Sequence, residues 1–177
     1  GIGAGVVGIL VAWRINQEYG HAVEVLDINK SRAGVVKKLG LQYAEPADAT
    51  PERTVIIHAS GSESGLRQAL KLAAPEGRLI EMSWFGSKAV SLPLGENFHS
   101  KRLTIRSSQV GAIPPDKQSQ WTYDSRMEMV LQLLSNHPEL EILINEESAF
   151  ADLPKTMSQM VNGSGEVLCH RVFYEEK

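Results

Sequence analysis

Hydrophobic and polar positions along the chain alternate between two patterns, one typical of buried strands and one typical of amphipathic helices. Short apolar or β-branched runs predict strands at 21–27, 54–59, 79–83 and 103–108. Helical periodicity, ended by Gly or Pro, predicts helices at 6–19, 30–39 and 62–74. This order indicates an α/β fold in which a parallel sheet carries helices on both faces. The segment 41–53 fits neither pattern.

The pattern changes after Gly111, so we expect one unit at 1–111 and a carboxyl-terminal segment at 112–177. A Pro-Pro pair followed by polar residues predicts a connector between them. Asp124 is expected to cap a helix that runs to about Ser135. The apolar stripe that this helix is expected to bury consists of Met127, Val130, Leu131 and Leu134. The remaining elements are predicted as a strand at 140–144, a helix at 152–163 and a closing strand at 167–173.

Composition narrows the classes of function. The 177 residues carry a net charge of −3, which argues against a nucleic-acid partner because phosphate binding needs an excess of Lys and Arg. No apolar run approaches the roughly 20 residues that span a bilayer, so we expect a cytoplasmic protein with no membrane partner. The single cysteine, Cys169, excludes an intrachain disulfide, and we expect it to be a buried apolar residue. The histidines lack metal-ligand spacing, and His58 is expected to be a hydrogen-bonded core residue.

The opening segment 3–8, GAGVVG, is a G-x-G-x-x-G motif in which a predicted helix begins. A predicted strand follows that helix and ends at Asp27, which stands 19 residues (27 − 8) after Gly8. That spacing is close to the separation of about 20 residues expected between the glycine loop and the ribose-binding acid of a dinucleotide site. The context therefore predicts a dinucleotide-binding loop.

Each residue of the loop has a distinct expected role. Gly3 permits the tight turn out of the first strand, and Gly5 lets the backbone approach a pyrophosphate without an intervening Cβ. Gly8 lets the helix pack close to its neighbouring strand. The amides near Val6 and Val7 are expected to face the phosphates, where the helix dipole favours negative charge.

Asp27 is expected to accept hydrogen bonds from the hydroxyl groups of the adenosine ribose. Its charge would repel a 2′-phosphate, which favours NAD over NADP as the cofactor. The alternative interpretation is that the segment 3–8 is only a glycine-rich turn and that Asp27 is an ordinary helix cap.

Four segments carry a wider resemblance: GIGAGVVGILVAWRINQ at 1–17, VLDINKSRAGVVKKLG at 25–40, VIIHASGSESGLRQALKLAAPEGRLIEMS at 55–83 and GEVLCHRVFY at 165–174. In these segments the chain resembles the medium-chain dehydrogenase/reductase superfamily, which includes the zinc-type alcohol and polyol dehydrogenases. The resemblance runs over essentially all 177 residues. It implies a Rossmann-type doubly wound parallel sheet.

The resemblance also implies further cofactor contacts near the ends of the predicted strands. Arg32 occupies the place, five residues after the ribose-binding acid, where such proteins usually carry Lys or Arg. The other implied contacts are Ser60 and Gly61 on the adenosine side, Met82 and Ser83 beside the nicotinamide, and Ser107 and Ser108 at its carboxamide. The plain alternative is that these serines are ordinary loop residues.

The function implied by the resemblance is that of an NAD-dependent alcohol or polyol dehydrogenase, of which this chain would be the nucleotide-binding half with a truncated first strand. Segment 112–177 would complete a catalytic domain absent from the chain. That domain would hold the catalytic residues and any zinc, so we assign neither here and expect the chain alone to be inactive. The expected partners are a small alcohol or carbonyl substrate and further copies of the chain. The alternative is a stand-alone NAD-sensing regulatory module.

Overall fold

Strands and helices alternate through the first two thirds of the chain, as the sequence pattern predicts. The structure, a computed structural model, describes residues 1–20, 23–162 and 166–174. Helix α1 (Val6–Tyr19) has the predicted bounds and ends at Gly20, whose φ of 61° is left-handed. Strand β1 covers Glu24–Leu26, shorter than predicted, and residues 21–22 of that prediction lie outside the described residues.

The following elements extend to the end of the first unit. A 3₁₀ turn at Lys30–Arg32 leads into the helix predicted at 30–39. The elements are α2 (Ala33–Lys38), β2 (Gln42–Ala44), β3 (Arg53–His58), α3 (Glu63–Leu72), β4 (Ala73–Glu81) and β5 (Thr104–Ser107). The predicted end of α3 at residue 74 is wrong because Ala73 already pairs with Arg53 in the β3–β4 ladder.

The strands of this unit lie parallel in the order β2-β1 and β3-β4-β5, and Ile2 joins the two groups. The amide of Ile2 donates to the Ile57 carbonyl at 2.8 Å, and the amide of Gly3 donates to the Leu26 carbonyl at 2.8 Å. Ile2 therefore lies at the centre of the sheet, between β1 and β3, and the other strands lie outward from it on both sides. This confirms the Rossmann-type doubly wound fold, and it places a topological switch point directly at the glycine loop.

Apolar residues cover both faces of the sheet. The cluster on the α3 face includes Ile2, Leu26, Ile56, Leu66, Leu70 and Leu79. The cluster on the face of α1 and α2 includes Ile9, Trp13, Val25, Val36, Leu140 and Leu143. Because the last two residues belong to the carboxyl-terminal segment, that segment is anchored against the same face as α1.

The carboxyl-terminal segment departs from the sequence-based expectations most clearly in its first strand and in the cap of its first helix. Its elements are α4 (Tyr123–Asn136), a 3₁₀ helix (Pro138–Leu143), β6 (Ile144–Ala149), α5 (Leu153–Asn162) and β7 (Cys169–Phe173), with β6 and β7 paired in parallel. The strand predicted at 140–144 is wrong, since Pro138 begins a 3₁₀ helix that turns Leu140 and Leu143 into the core. The prediction that Asp124 caps α4 is also wrong. Thr122 and Ser125 form a reciprocal capping box instead.

Helix α4 also exposes the stripe that its periodicity predicts to be buried. Met127 is 59% exposed and Leu131 is 60% exposed, and Val130 and Leu134 are exposed too. Leu133 packs against the core on the α1 face, whereas the predicted stripe remains exposed. Cys169, expected to be buried, is only partly so.

Candidate functional site

The glycine loop is packed so closely, against itself and against the residues that follow β3, that two of its positions exclude any side chain. Gly3 has a φ of 103°, and a Cβ there would lie 2.8 Å from backbone atoms of Ala59 and Ser60. A Cβ on Gly8 would lie 1.9 Å from the carbonyl oxygen of Gly3. These contacts hold the amino-terminal end of α1 directly over the switch point.

The third glycine lies on the open side of the loop. Gly5 is exposed, and no atom lies within 4 Å of the position that its Cβ would take. It is the N-cap of α1, so Val6 and Val7 occupy the first turn, where backbone amides have no acceptor within the helix. A helix amino terminus of this kind carries partial positive charge and can bind an anion such as a phosphate.

Asp27 follows β1 and lies across from this helix terminus. Its Oδ2 accepts a hydrogen bond from the Ala4 amide at 2.6 Å, and its Oδ1 accepts one from the Asn29 amide at 2.8 Å. The 3₁₀ turn that follows is capped by Asn29, whose side chain accepts from the Ser31 amide. Asp27 is therefore fixed beside the glycine loop and is not the cap of the next helix.

A cavity of about 590 Å³ connects the loop to Asp27 and to the start of α3, a volume within the range of small-ligand sites. Of the residues that the sequence analysis singles out, five line this cavity: Gly3, Gly5, Asp27, Arg32 and Ser60. Further polar residues on its wall are not predicted from the sequence, namely Asn29, Ser62, Ser64 and Gln68. The parallel sheet brings these residues together because strands β1 and β3 end at the same edge.

The other predicted residues lie outside the lining of this cavity. Val6, Val7 and Gly8 are in α1, while Gly61, Met82, Ser83, Ser107 and Ser108 lie along the carboxyl edge of β3, β4 and β5. Several of these residues use their backbone amides within the protein. The amide of Met82 donates to the His58 carbonyl at 2.9 Å, and the amide of Ser108 donates to the Glu81 carbonyl at 2.8 Å.

Arg32 links the cavity to the carboxyl-terminal segment. Its guanidinium donates to the Glu166 carbonyl at 2.9 Å and to the Val167 carbonyl at 3.0 Å. The side chain thus ties the residues before β7 to the rim of the cavity.

A buried polar network supports the wall formed by Ser60. His58 is fully buried, and its Nδ1 lies 2.7 Å and 2.9 Å from the two carboxylate oxygens of Glu81. Its Nε2 lies 2.6 Å from the Ser60 Oγ. Burial raises the pKa of Glu81, but hydrogen bonds from His58 and Ser83 outweigh it and hold that pKa below its usual value. The expectation that His58 is a hydrogen-bonded core residue is confirmed.

The structure gives no sign of a metal centre or a membrane span in the parts of the chain it describes. Within residues 1–20, 23–162 and 166–174, no three His, Cys, Asp or Glu side chains lie close enough together to hold a metal ion. No helix of these same ranges is long and apolar enough to cross a bilayer.

Solved structures of alcohol and polyol dehydrogenases share this fold. An alcohol dehydrogenase from Thermotoga maritima has a TM-score of 0.78 and 16% identity, over 98% of this chain and 49% of its own. L-idonate 5-dehydrogenase from Escherichia coli K-12 has a TM-score of 0.76 and 16% identity, over 97% and 49% of the two chains. A short chain alcohol dehydrogenase from Escherichia coli CFT073, in complex with its cofactor NADH, has a TM-score of 0.71 and 22% identity, over 95% of this chain and 49% of its own.

This chain spans about half the length of the solved structures that it matches. No protein-family model and no curated protein sequence matches it. At identities this low, the structural likeness establishes a shared fold.

Proposed function

We propose that this chain is the cofactor-binding portion of an NAD-dependent oxidoreductase of the alcohol or polyol dehydrogenase type. One observation carries the proposal: the amino terminus of α1 and the Asp27 carboxylate border a single cavity at the switch point of the sheet. A positive helix end and a fixed carboxylate match the two ends of an adenosine diphosphate moiety, which carries phosphates and ribose hydroxyls.

In this proposal the pyrophosphate lies on the first turn of α1, approached through the open side of Gly5. The Asp27 carboxylate accepts hydrogen bonds from the adenosine ribose while it continues to bind the Ala4 amide. A 2′-phosphate would place a second negative group beside this carboxylate, so the site favours NAD over NADP.

The chemistry of hydride transfer belongs to the nicotinamide, which when bound exchanges a hydride with an alcohol or carbonyl carbon. The carboxyl ends of β4 and β5, with Met82, Ser83, Ser107 and Ser108, would flank that end of the cofactor and orient it. The proposal assigns cofactor binding to this chain and no catalytic step.

Titration calorimetry with NAD⁺ and NADP⁺ on wild type and on Asp27→Ala tests the proposal. A hydrogen bond to a charged group contributes about 1.5–3 kcal/mol, so Asp27→Ala should weaken NAD⁺ binding by about 10- to 150-fold. NADP⁺ binding should be unchanged or tighter, since a repulsive charge is removed. Asp48→Ala, on an exposed turn, is the control and should bind NAD⁺ and NADP⁺ with wild-type affinity. Equal losses for both cofactors would show that Asp27 only holds the loop.

A further inference from the structure

The cavity extends past Asp27 along the carboxyl edge of the sheet. Because the strands lie in the order β2, β1 and then Ile2, this edge carries in turn the end of β2, Asp27 after β1, and the glycine loop after Ile2. Pro46, in the 3₁₀ turn that follows β2, lines the same cavity as the glycine loop. The wall on the far side of Asp27 from the loop therefore belongs to Pro46.

The order of the groups in a dinucleotide matches the order of these strand ends. With the pyrophosphate on α1 and the ribose on Asp27, the base, which is bonded to that ribose, extends toward Pro46. Ile28, the residue after Asp27, lines the cavity and is 86% exposed. The flat face of a base would remove this apolar side chain from water.

Gln68, in helix α3, lines the cavity beside Pro46 and offers it a hydrogen-bond acceptor. Its Nε2 donates to the Pro46 carbonyl oxygen at 3.0 Å. A carbonyl oxygen only accepts, so this bond fixes which way the side-chain amide faces. Within residues 1–20, 23–162 and 166–174, no donor hydrogen-bonds to the Gln68 Oε1. Both lone pairs of this half-buried, oriented oxygen are therefore available to a ligand.

Other polar oxygens on the cavity wall already have donors. The Asn29 Oδ1 accepts from the amide of Ser31 at 3.0 Å and from its hydroxyl at 2.7 Å. The Ser62 Oγ accepts from the Gly65 amide at 3.0 Å. A donor on the base would have to compete with these groups, whereas at the Gln68 Oε1 it meets no such competitor.

We infer that Gln68 is a specificity-determining residue that selects adenine through the exocyclic amine of that base. The amine donates to the Gln68 Oε1 while Nε2 stays bound to the Pro46 carbonyl. A purine with a carbonyl at the same ring position would place two acceptors against each other and is rejected. This inference rests on the proposed dinucleotide site.

Two variants separate the acceptor from the rest of the side chain. Gln68→Met has a similar length and helix propensity but no strong acceptor. Gln68→Lys keeps a donor for the Pro46 carbonyl and replaces the acceptor with a group that only donates. Gln42→Met, at an exposed position of β2 outside the lining of the cavity, is the matched control.

The test is titration calorimetry on the whole chain with three probes. They are NAD⁺, an NAD⁺ analogue whose purine carries hydrogen in place of the 6-amine, and nicotinamide hypoxanthine dinucleotide, whose purine carries a carbonyl there. Wild type and Gln42→Met should bind NAD⁺ about 2- to 12-fold more tightly than either analogue, which is the contribution of one hydrogen bond. Gln68→Met should bring the ratio between NAD⁺ and the amine-free analogue to about one. Gln68→Lys should bind the hypoxanthine analogue most tightly, because its carbonyl can accept from the ammonium group.

These ratios respond to the recognised group and not to general damage. A loss of packing at Gln68, or of its bond to Pro46, would weaken the binding of all three probes alike. Wild type that binds none of the probes overturns the dinucleotide site itself. Wild type that binds all three equally, or a Gln68→Met or Gln68→Lys variant that keeps the wild-type ratios, overturns the role of Gln68 and leaves the site standing. Circular dichroism checks that each variant is folded, and either Gln68 variant alone decides the matter.

Discussion

Gly8→Ala perturbs the contact that holds helix α1 over the switch point. The added Cβ would lie 1.9 Å from the Gly3 carbonyl oxygen, where ordinary contact begins near 3.4 Å, so the overlap is about 1.5 Å. The opposing atom belongs to the backbone of the glycine loop and cannot rotate away. The helix terminus or the loop must therefore move, and both form the proposed phosphate site.

The expected change in the free energy of unfolding of Gly8→Ala follows from two opposing contributions. Overpacking costs about 1–3 kcal/mol, and a clash with backbone belongs at the upper end. Alanine regains up to about 1 kcal/mol over glycine inside a helix. The net loss in the free energy of unfolding is about 2 kcal/mol, which for a domain of this size lowers Tm by about 4–8 °C.

Gly34→Ala is the matched control, because Gly34 also lies inside a helix but has no atom within 4 Å of its Cβ position. It should raise Tm by about 1–4 °C, since only the gain in helix propensity applies. Differential scanning fluorimetry gives both values, and calorimetry should show weaker NAD⁺ binding only in Gly8→Ala. A Gly8→Ala variant as stable as Gly34→Ala would refute the close contact between α1 and the loop.

Two further predictions concern Gly5 and Glu81. Gly5→Ala should lower Tm by no more than about 4 °C, the cost of a poorer N-cap, because its Cβ meets no atom within 4 Å, yet weaken NAD⁺ binding at least about tenfold by blocking the phosphate approach. Unchanged affinity in calorimetry would contradict that approach. The pKa of Glu81 is lowered by folding, so its stabilising effect is complete above the ordinary value of 4.5 and is lost as pH falls through the lower folded value. Tm measured from about pH 6 to pH 3 should fall more steeply in wild type than in Glu81→Gln, and equal slopes would count against the pairing.

The elements that the sequence pattern predicted well are those whose local signals agree with their packing. Helix α1 combines a glycine loop at its start with Gly20 at its end, and both bounds are as predicted. Strand β2 is missed, because three residues, Gln42–Ala44, are too short to show a period. Helix α4 has apolar residues on two faces, and periodicity alone cannot tell that Leu133 rather than Leu131 packs on the core.

In the candidate site, too, local sequence signals predict one part, and the other part depends on contacts between distant segments. The spacing from Gly8 to Asp27 is a local signal and predicts the part of the cavity beside α1. The network of His58 and Glu81 depends on the register of two parallel strands, in which these residues are directly paired. That register could be derived by aligning the strands at 54–59 and 79–83, but the contacts between His58 and the serines that follow β3 depend on the folded loop.

Backbone amide chemical shifts during an NAD⁺ titration test the location of the dinucleotide site most directly. In a ¹⁵N-labelled sample of the whole chain, the largest shifts should fall on Gly5, Val6, Val7 and Asn29, with smaller ones at Ser60. NADP⁺ at the same concentrations should produce smaller shifts at Asn29, because the adjacent Asp27 carboxylate repels its phosphate. Shifts that are absent from the glycine loop, or that cluster on another surface, would contradict the assignment of this cavity to a dinucleotide.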